Sequence, residues 1–203
     1  MRLIVGLGNP GDRYALTRHN LGFIALEAMT RRHRFAAYRA KFSGELSEGT
    51  LGDWRVLALK PQTFMNLSGD SVGAAARFYK IAPEEIAVIH DEIDLAPGKL
   101  KVKCGGGTAG HNGLRSIEAA IGADFWRVRV GIGHPGQKEL VEPYVLQNFS
   151  MEERAMFGPL IDAMAEAMPI LAEDDPQGFM TRVALILRPP PPKPQRASDE
   201  GGT

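Results

Sequence analysis

The sequence predicts an α/β fold: a single-domain, mixed and mostly parallel twisted sheet with helices on both faces. Three observations carry this expectation. Apolar runs of strand length alternate along the chain with segments of helical periodicity. The runs at 3–7 and 86–89 are apolar on both faces, as strands buried inside a parallel sheet are. With 203 residues, 44% of them hydrophobic, the chain can bury one substantial core, so one domain is the default.

In order, 3–7 reads as a buried strand and 21–32 as an amphipathic helix with Asn20 placed to cap it. Two β-like runs, 44–49 and 54–59, flank the turn signal Leu51-Gly52-Asp53. Residues 67–79 read as a helix, where Gly73, Ala74, Ala75 and Ala76 permit close packing. A short parallel-type strand at 86–89 is followed by alternation at 100–104, a helix at 112–121 and a strand at 128–132. Two helices, 151–172 and 177–186, complete the ordered part. Beyond Arg188, four consecutive prolines and a Ser/Asp/Glu/Gly tail suit polyproline II or disorder, so the domain is expected over 1–188 and a tail over 189–203.

The first strand runs into Gly6-Leu7-Gly8-Asn9-Pro10-Gly11, which spells G-x-G-x-x-G. A pyrophosphate cradle needs free backbone N–H groups at a helix start close behind the glycines. Here Pro10 removes one donor, and helical periodicity begins only at Leu21. The glycines open instead onto a loop that carries Asn9 and His19.

Charge is balanced overall, with 24 basic and 24 acidic residues, but not locally. Between Lys99 and Lys138 seven Lys/Arg face only Glu118 and Asp124, whereas between Glu139 and Phe179 nine acidic residues face Arg154 alone. That segregation is compatible with a polyanion held on one face, or with pairing between the two segments. The single Cys104 cannot form an intrachain disulfide, alternates with Lys103 and is expected to point into the core. No cationic leader and no run of membrane-spanning length is apparent, so a cytoplasmic chain is expected. No long apolar face is left uncommitted, which predicts a monomer.

Four loops combine a turn-forming residue with a polar one: Asn9-Pro10-Gly11, residues 65–69, His90-Asp91-Glu92, and the glycine-rich stretch 105–113. Three of them contain Asn, of which the chain has only five. Asn also closes Asx turns, but open α/β sheets gather their loops at strand C-terminal ends, so a shared crevice is expected. His19, in a polar loop before a helix, is the candidate base. Asp91, delivered to the sheet edge by an apolar strand, is its candidate partner. A carboxylate accepting from one imidazole nitrogen raises basicity and leaves the other free to take a proton from water. A metal site built from His90, Asp91, Glu92 and Asp94 is the competing reading of the same segment. Against it, adjacent strand residues point in opposite directions, and no second His/Asp/Glu cluster is available to complete the shell. A covalent nucleophile lacks support: there is no G-x-S-x-G elbow, and Ser68 and Ser71 read as helix caps. Lys99, Lys101 and Lys103 share one strand face, and Arg127 and Arg129 repeat the device. Both read as phosphate contacts or as a solvated outer face.

Taken together these loops resemble the bacterial peptidyl-tRNA hydrolase family. The matching pieces are residues 5–11, Tyr14, 17–22, 60–69, 90–95, 105–107, 110–114 and 129–135, in the family's order between residue 3 and about 186. The resemblance implies cleavage of the ester between a peptide and the terminal ribose of tRNA, with no metal or other cofactor and with release of tRNA for recycling. It implies His19 as general base and Asp91 as the group that holds it. Asn9 would contact the peptide backbone and help exclude unblocked aminoacyl-tRNA. Tyr14, Phe64, Asn66 and Asn112 would line the groove for the peptide and the tRNA 3′ end, supported by Met65 and His111. Lys101, Lys103 and Arg129 would meet the phosphates of the acceptor arm. Residues 139–172 would form a mobile lid. One departure is Thr108-Ala109 where some members carry His-Gly, and the proline-rich tail lies outside the resemblance. Two other readings remain open: an RNA-binding module on the same fold without hydrolysis, as in related chloroplast splicing factors, and the nucleotide-dependent oxidoreductase that the glycine pattern first suggests.

Overall fold

A computed structural model of the chain describes residues 2–188. The expected tail, 189–203, lies outside the described residues. Seven strands form one twisted sheet in the order β2-β3-β4-β1-β5-β7-β6. They are β1 (Arg2–Gly6), β2 (Arg39–Lys41), β3 (Gly44–Leu51), β4 (Trp54–Pro61), β5 (Ile86–Glu92), β6 (Leu100–Cys104) and β7 (Trp126–Gly131). The four central strands β4, β1, β5 and β7 are parallel, and antiparallel strands β3, β2 and β6 close the two edges. The expected mixed sheet with a parallel centre is what forms.

The helices are α1 (Leu21–Arg32), α2 (Ser68–Tyr79), α3 (Asn112–Ile121), α4 (Val141–Val145), α5 (Met151–Ala172) and α6 (Pro176–Leu187). One face of the sheet packs against α1, α5 and α6 through Leu26, Met29, Phe157, Met164, Met168 and Phe179. The other packs against α2 and α3 through Val72, Ala75, Leu114 and Ile117. Alternation along β5 serves both layers, since Ala87 and Ile89 enter the first core and Ile86 and Val88 the second.

The glycines of the first loop have packing roles. A Cβ on Gly6 would collide with the Gly22 carbonyl of α1, and one on Gly8 with the Phe23 ring. The close approach is fixed by two backbone bonds, Leu7 N–H to the Ile89 carbonyl at 3.0 Å and Phe23 N–H to the Leu7 carbonyl at 3.1 Å. Gly11 alone turns the chain, at φ 102°.

Several local expectations are corrected. Asn20 precedes α1 but its side chain does not cap it, because the amide is engaged elsewhere. Ser68 and Ser71 do not cap α2: Ser68 donates to the Met65 carbonyl, and the buried Ser71 hydroxyl has no partner. Cys104 sits half-buried at the end of β6 with its thiol 3.5 Å from the Asp124 carbonyl, not in the core. Strand β2 carries no apolar alternation, and only its pairing with β3 makes it a strand. Helix α5 is the one described helix long and apolar enough to cross a membrane, and ten of its residues are buried in the protein core. Those ten buried residues anchor α5, while Val141, Glu142, Val145 and Leu146 of the segment before it border the groove.

Candidate active site

The C-terminal ends of β1, β4 and β5 deliver their loops to one edge of the sheet, where they line an open groove with the start of α3. Asn9, His19, Phe64, Met65, Asn66, Asp91, His111 and Asn112 all border it. The opposite wall is made by His134, Lys138, Val141, Glu142, Val145 and Leu146.

His19 lies in a tight turn, Arg18–Asn20, directly ahead of α1. Its Nδ1 is 3.0 Å from both carboxylate oxygens of Asp91, the sixth residue of β5. His111 caps α3: its Nδ1 accepts from the amides of Gly113 at 3.1 Å and Leu114 at 3.4 Å. An imidazole that accepts at Nδ1 carries its proton on Nε2, so His111 Nε2 donates to Asp91 Oδ1 at 3.0 Å. Asp91 thus accepts from two imidazoles. With His19 Nδ1 donating to the same carboxylate, His19 Nε2 is left as a lone-pair acceptor on the groove, with no partner among the described residues.

The electrostatics follow from this geometry. Burial works against a charged Asp91, but attraction to His19 and His111, with their hydrogen bonds, overcomes it and holds the carboxyl well below the usual range. Burial also works against protonation of His19, yet the Asp91 charge and hydrogen bond prevail and raise its pKa above 6.5. His90, one residue earlier, points to the other side of the sheet and donates from Nδ1 to the Asp91 carbonyl at 2.7 Å. Burial, with His111 close by, pushes its pKa down to about 3, so it stays neutral.

Asn9 is clamped on three sides. Its backbone N–H donates to Asn20 Oδ1 at 2.8 Å, and its carbonyl accepts from Asn20 Nδ2 at 2.9 Å. Its side-chain Oδ1 accepts from the Met65 amide at 2.9 Å. The Met65 N–H requires an acceptor there, which fixes the orientation of the amide and turns Nδ2, a donor only, toward the groove.

The cation reading needs correction. Lys101 and Lys103 are exposed on β6, but Arg127, opposite Lys103, is buried and bonds the Ala123 and Phe125 carbonyls and Glu118. Arg129, opposite Lys101, donates from Nε to Glu92 at 2.9 Å. None of these four lines the groove. Tyr14 is also not brought to the groove lining: its hydroxyl accepts from Arg13 at 2.5 Å, and its carbonyl from Thr17. The alternative metal set is not assembled, since Glu92 is engaged by Arg129 and by the Asp94 amide. Among the described residues one cluster has three candidate ligand atoms within 4.8 Å, namely His19, Asp91 and His111, and those atoms are already joined by hydrogen bonds. Ala109, at the departure from the family pattern, borders the groove in a left-handed conformation at φ 46°.

The peptidyl-tRNA hydrolase family model matches residues 3–191. The chain belongs to the peptidyl-tRNA hydrolase family. These are carboxylic ester hydrolases acting on peptidyl-tRNA. The chain is 57% identical over 188 residues to the peptidyl-tRNA hydrolase of Methylobacterium sp. (strain 4-46), covering 93% of each. It is 54% identical over 189 residues to that of Rhodospirillum rubrum, covering 93% of this chain and 78% of the relative. The crystal structure of peptidyl-tRNA hydrolase from Acinetobacter baumannii superposes with a TM-score of 0.86 at 42% identity, covering 90% of this chain and 94% of that one.

Three features of the groove have no clear signal in the sequence. Asn20, taken for a helix cap, is the latch of the Asn9 loop. His111, taken for a support, is the second donor to Asp91. Arg18, next to His19, is buried and paired with Glu153 at 2.7 Å. Only the first leaves a trace, an Asn directly before a helix that begins with Leu-Gly.

Proposed function

We propose that the enzyme cleaves the ester between a peptide, or an N-blocked amino acid, and the tRNA 3′ end with water activated by His19. The observation that carries this reading is the free Nε2 of His19, oriented by Asp91 and set in the same groove as the Asn9 donor. His19 Nε2 takes a proton from water, and the oxygen adds to the ester carbonyl carbon. The tetrahedral intermediate collapses with cleavage of the bond to the ribose oxygen, which recovers the proton from His19. The products are the peptide acid and free tRNA for recycling. Asp91 stabilises the imidazolium formed in between. An ester is activated enough for this route without a covalent intermediate.

Asn9 supplies discrimination. Its exposed amide nitrogen can pair only with an acceptor, such as the carbonyl of a peptide or blocking acyl group. A free α-ammonium is itself only a donor, so unblocked aminoacyl-tRNA leaves both partners unsatisfied. Phe64, Asn66 and Asn112 border the same groove and are assigned to the peptide and the tRNA 3′ end, with Met65 in support. Tyr14 is kept for the substrate's outer reach. Lys101, Lys103 and the Glu92-held Arg129 are assigned to acceptor-arm phosphates. Of the lid expected over 139–172, the part up to Leu146 borders the groove and is assigned to cover it. The enzyme acts in the cytoplasm as a monomer, in keeping with its lone cysteine. The test is hydrolysis of N-acetyl-aminoacyl-tRNA beside free aminoacyl-tRNA. We expect the blocked substrate to be cleaved at least about tenfold faster, the discrimination one lost hydrogen bond supplies. Equal rates would remove the Asn9 assignment, and an intact blocked substrate would leave an RNA-binding module.

A further inference from the structure

The two walls of the groove are tied together by one buried side chain that carries no role so far. Arg18 adjoins His19, and its guanidinium is only 10% exposed. Nε and Nη2 grip Glu153 in a two-pronged pair at 2.7 and 2.9 Å. Nη1 donates to the Tyr144 carbonyl at 3.0 Å and to Gln147 Oε1 at 3.4 Å, and the Tyr144 ring lies 4.3 Å from the guanidinium carbon. Every one of these partners belongs to α4, to the turn after it, or to the first turn of α5.

The backbone repeats the connection. Arg18 N–H donates to the Gln147 carbonyl at 3.0 Å, Thr17 bridges Asn148, and Phe149 N–H donates to the Leu16 carbonyl at 3.0 Å. The far side is fixed in turn. The Tyr144 hydroxyl donates to the Ile132 carbonyl at 2.6 Å, and Glu153 closes a capping box with Ser150. Val145 and Leu146, which line the far wall, lie between Tyr144 and Gln147, so they are held at both ends by atoms that Arg18 grips.

We propose that Arg18 is a positioning residue that sets the width of the substrate groove by locking the α4–α5 junction to the turn that carries His19. It touches no substrate and acts through Val145 and Leu146. The inference rests on this groove being the substrate site. A guanidinium suits the task because its planar fork satisfies a carboxylate and a carbonyl at once, which a lysine cannot do. A pair that served folding alone would lower stability without changing the folded enzyme's affinity for substrate.

The test is steady-state hydrolysis of N-acetyl-aminoacyl-tRNA by Arg18→Gln and Glu153→Gln, with amide hydrogen exchange read by mass spectrometry. The expected result is KM raised about tenfold with kcat within about twofold, the signature of lost uniform binding. Exchange over 140–149 accelerates about tenfold or more while the α5 core at 160–168 stays protected. If Arg18→Gln fails to fold, the milder Glu153→Gln decides, since it keeps one acceptor oxygen and turns the other into a donor that opposes an N–H. An unchanged KM, or a loss confined to kcat, overturns the inference. His19→Ala is assayed in parallel: wild-type rates there would sink the base assignment, while the KM of the Arg18 variant still judges the strap.

Discussion

The near wall of the groove and the far wall are built on opposite principles. On the near wall the polar groups that matter are committed to partners: Asn9 to Asn20 and Met65, Asp91 to two imidazoles, His111 to the start of α3. Left unpaired there among the described residues are the His19 Nε2, the Asn9 Nδ2 and the side-chain amides of Asn66 and Asn112. The far wall offers Val141, Val145 and Leu146 with the exposed Lys138, and its purchase on the molecule runs through Arg18 and the Tyr144 hydroxyl. On the proposed reading, the difference places catalytic precision in the near wall. Preorganised groups must not move when charge develops, so they are hydrogen-bonded to rigid strand and helix ends. The far wall instead presents mixed apolar and polar contact, and the Arg18 and Tyr144 bonds fix its distance from the near wall.

The largest effect comes from breaking the near wall at its charge. Asp91→Asn keeps the shape but puts an amide where one carboxylate accepted from two imidazole N–H groups, so one ring must change tautomer. A loss of about 10²–10⁴ in kcat is expected, with the folded state retained by circular dichroism. The acidic limb of the rate profile should also move to lower pH, because Asp91 is what raises the His19 pKa. A limb that stays in place would detach Asp91 from His19.

Asn9→Asp is a finer cut. The new carboxylate still accepts from the Met65 amide, but the donor facing the groove becomes an acceptor. kcat/KM for blocked substrate should fall about 10–100-fold, one to two charge-mismatched hydrogen bonds. Unchanged kinetics would show that this amide meets no carbonyl. The smallest effect lies outside both walls. Lys101→Ala with Lys103→Ala should leave kcat alone and flatten the dependence of log KM on log salt by about 1.4–1.8 for two phosphate contacts. An unaltered slope would move the tRNA phosphates off these lysines.

How much of this was legible in the sequence follows the same division. His19, Asp91, Asn9 and the parallel strands could be read because their signals are local: an apolar run that stops at a carboxylate, a glycine loop that presents an amide. The fate of the glycine pattern was half legible. Pro10 argued against a phosphate cradle, but the reason for Gly6, collision with Gly22 of α1, is a long-range contact that no spacing reveals. Arg127 and Arg129 alternate alike on paper, yet one is buried on the Phe125 ring at 4.1 Å and the other is held by Glu92. Burial on an inner strand depends on which helix covers that face, and the Arg127 partner Glu118 lies on α3. The Arg18 strap was invisible for the same reason, its partner being 135 residues away.

The most direct measurement follows the His19 imidazole by NMR across pH in parallel with the single-turnover rate on N-acetyl-aminoacyl-tRNA. Because the folded pKa lies above the unfolded value of 6.5, protonated His19 stabilises the fold below that pH. This stabilisation is lost as pH rises through the folded pKa, just where the neutral base appears. The account predicts a rate that climbs through one protonation with a midpoint above 6.5, coincident with the imidazole titration, and a His19→Ala enzyme slower by about 10²–10⁴ that lacks this limb. A His19→Ala enzyme that keeps the wild-type rate and limb would contradict it.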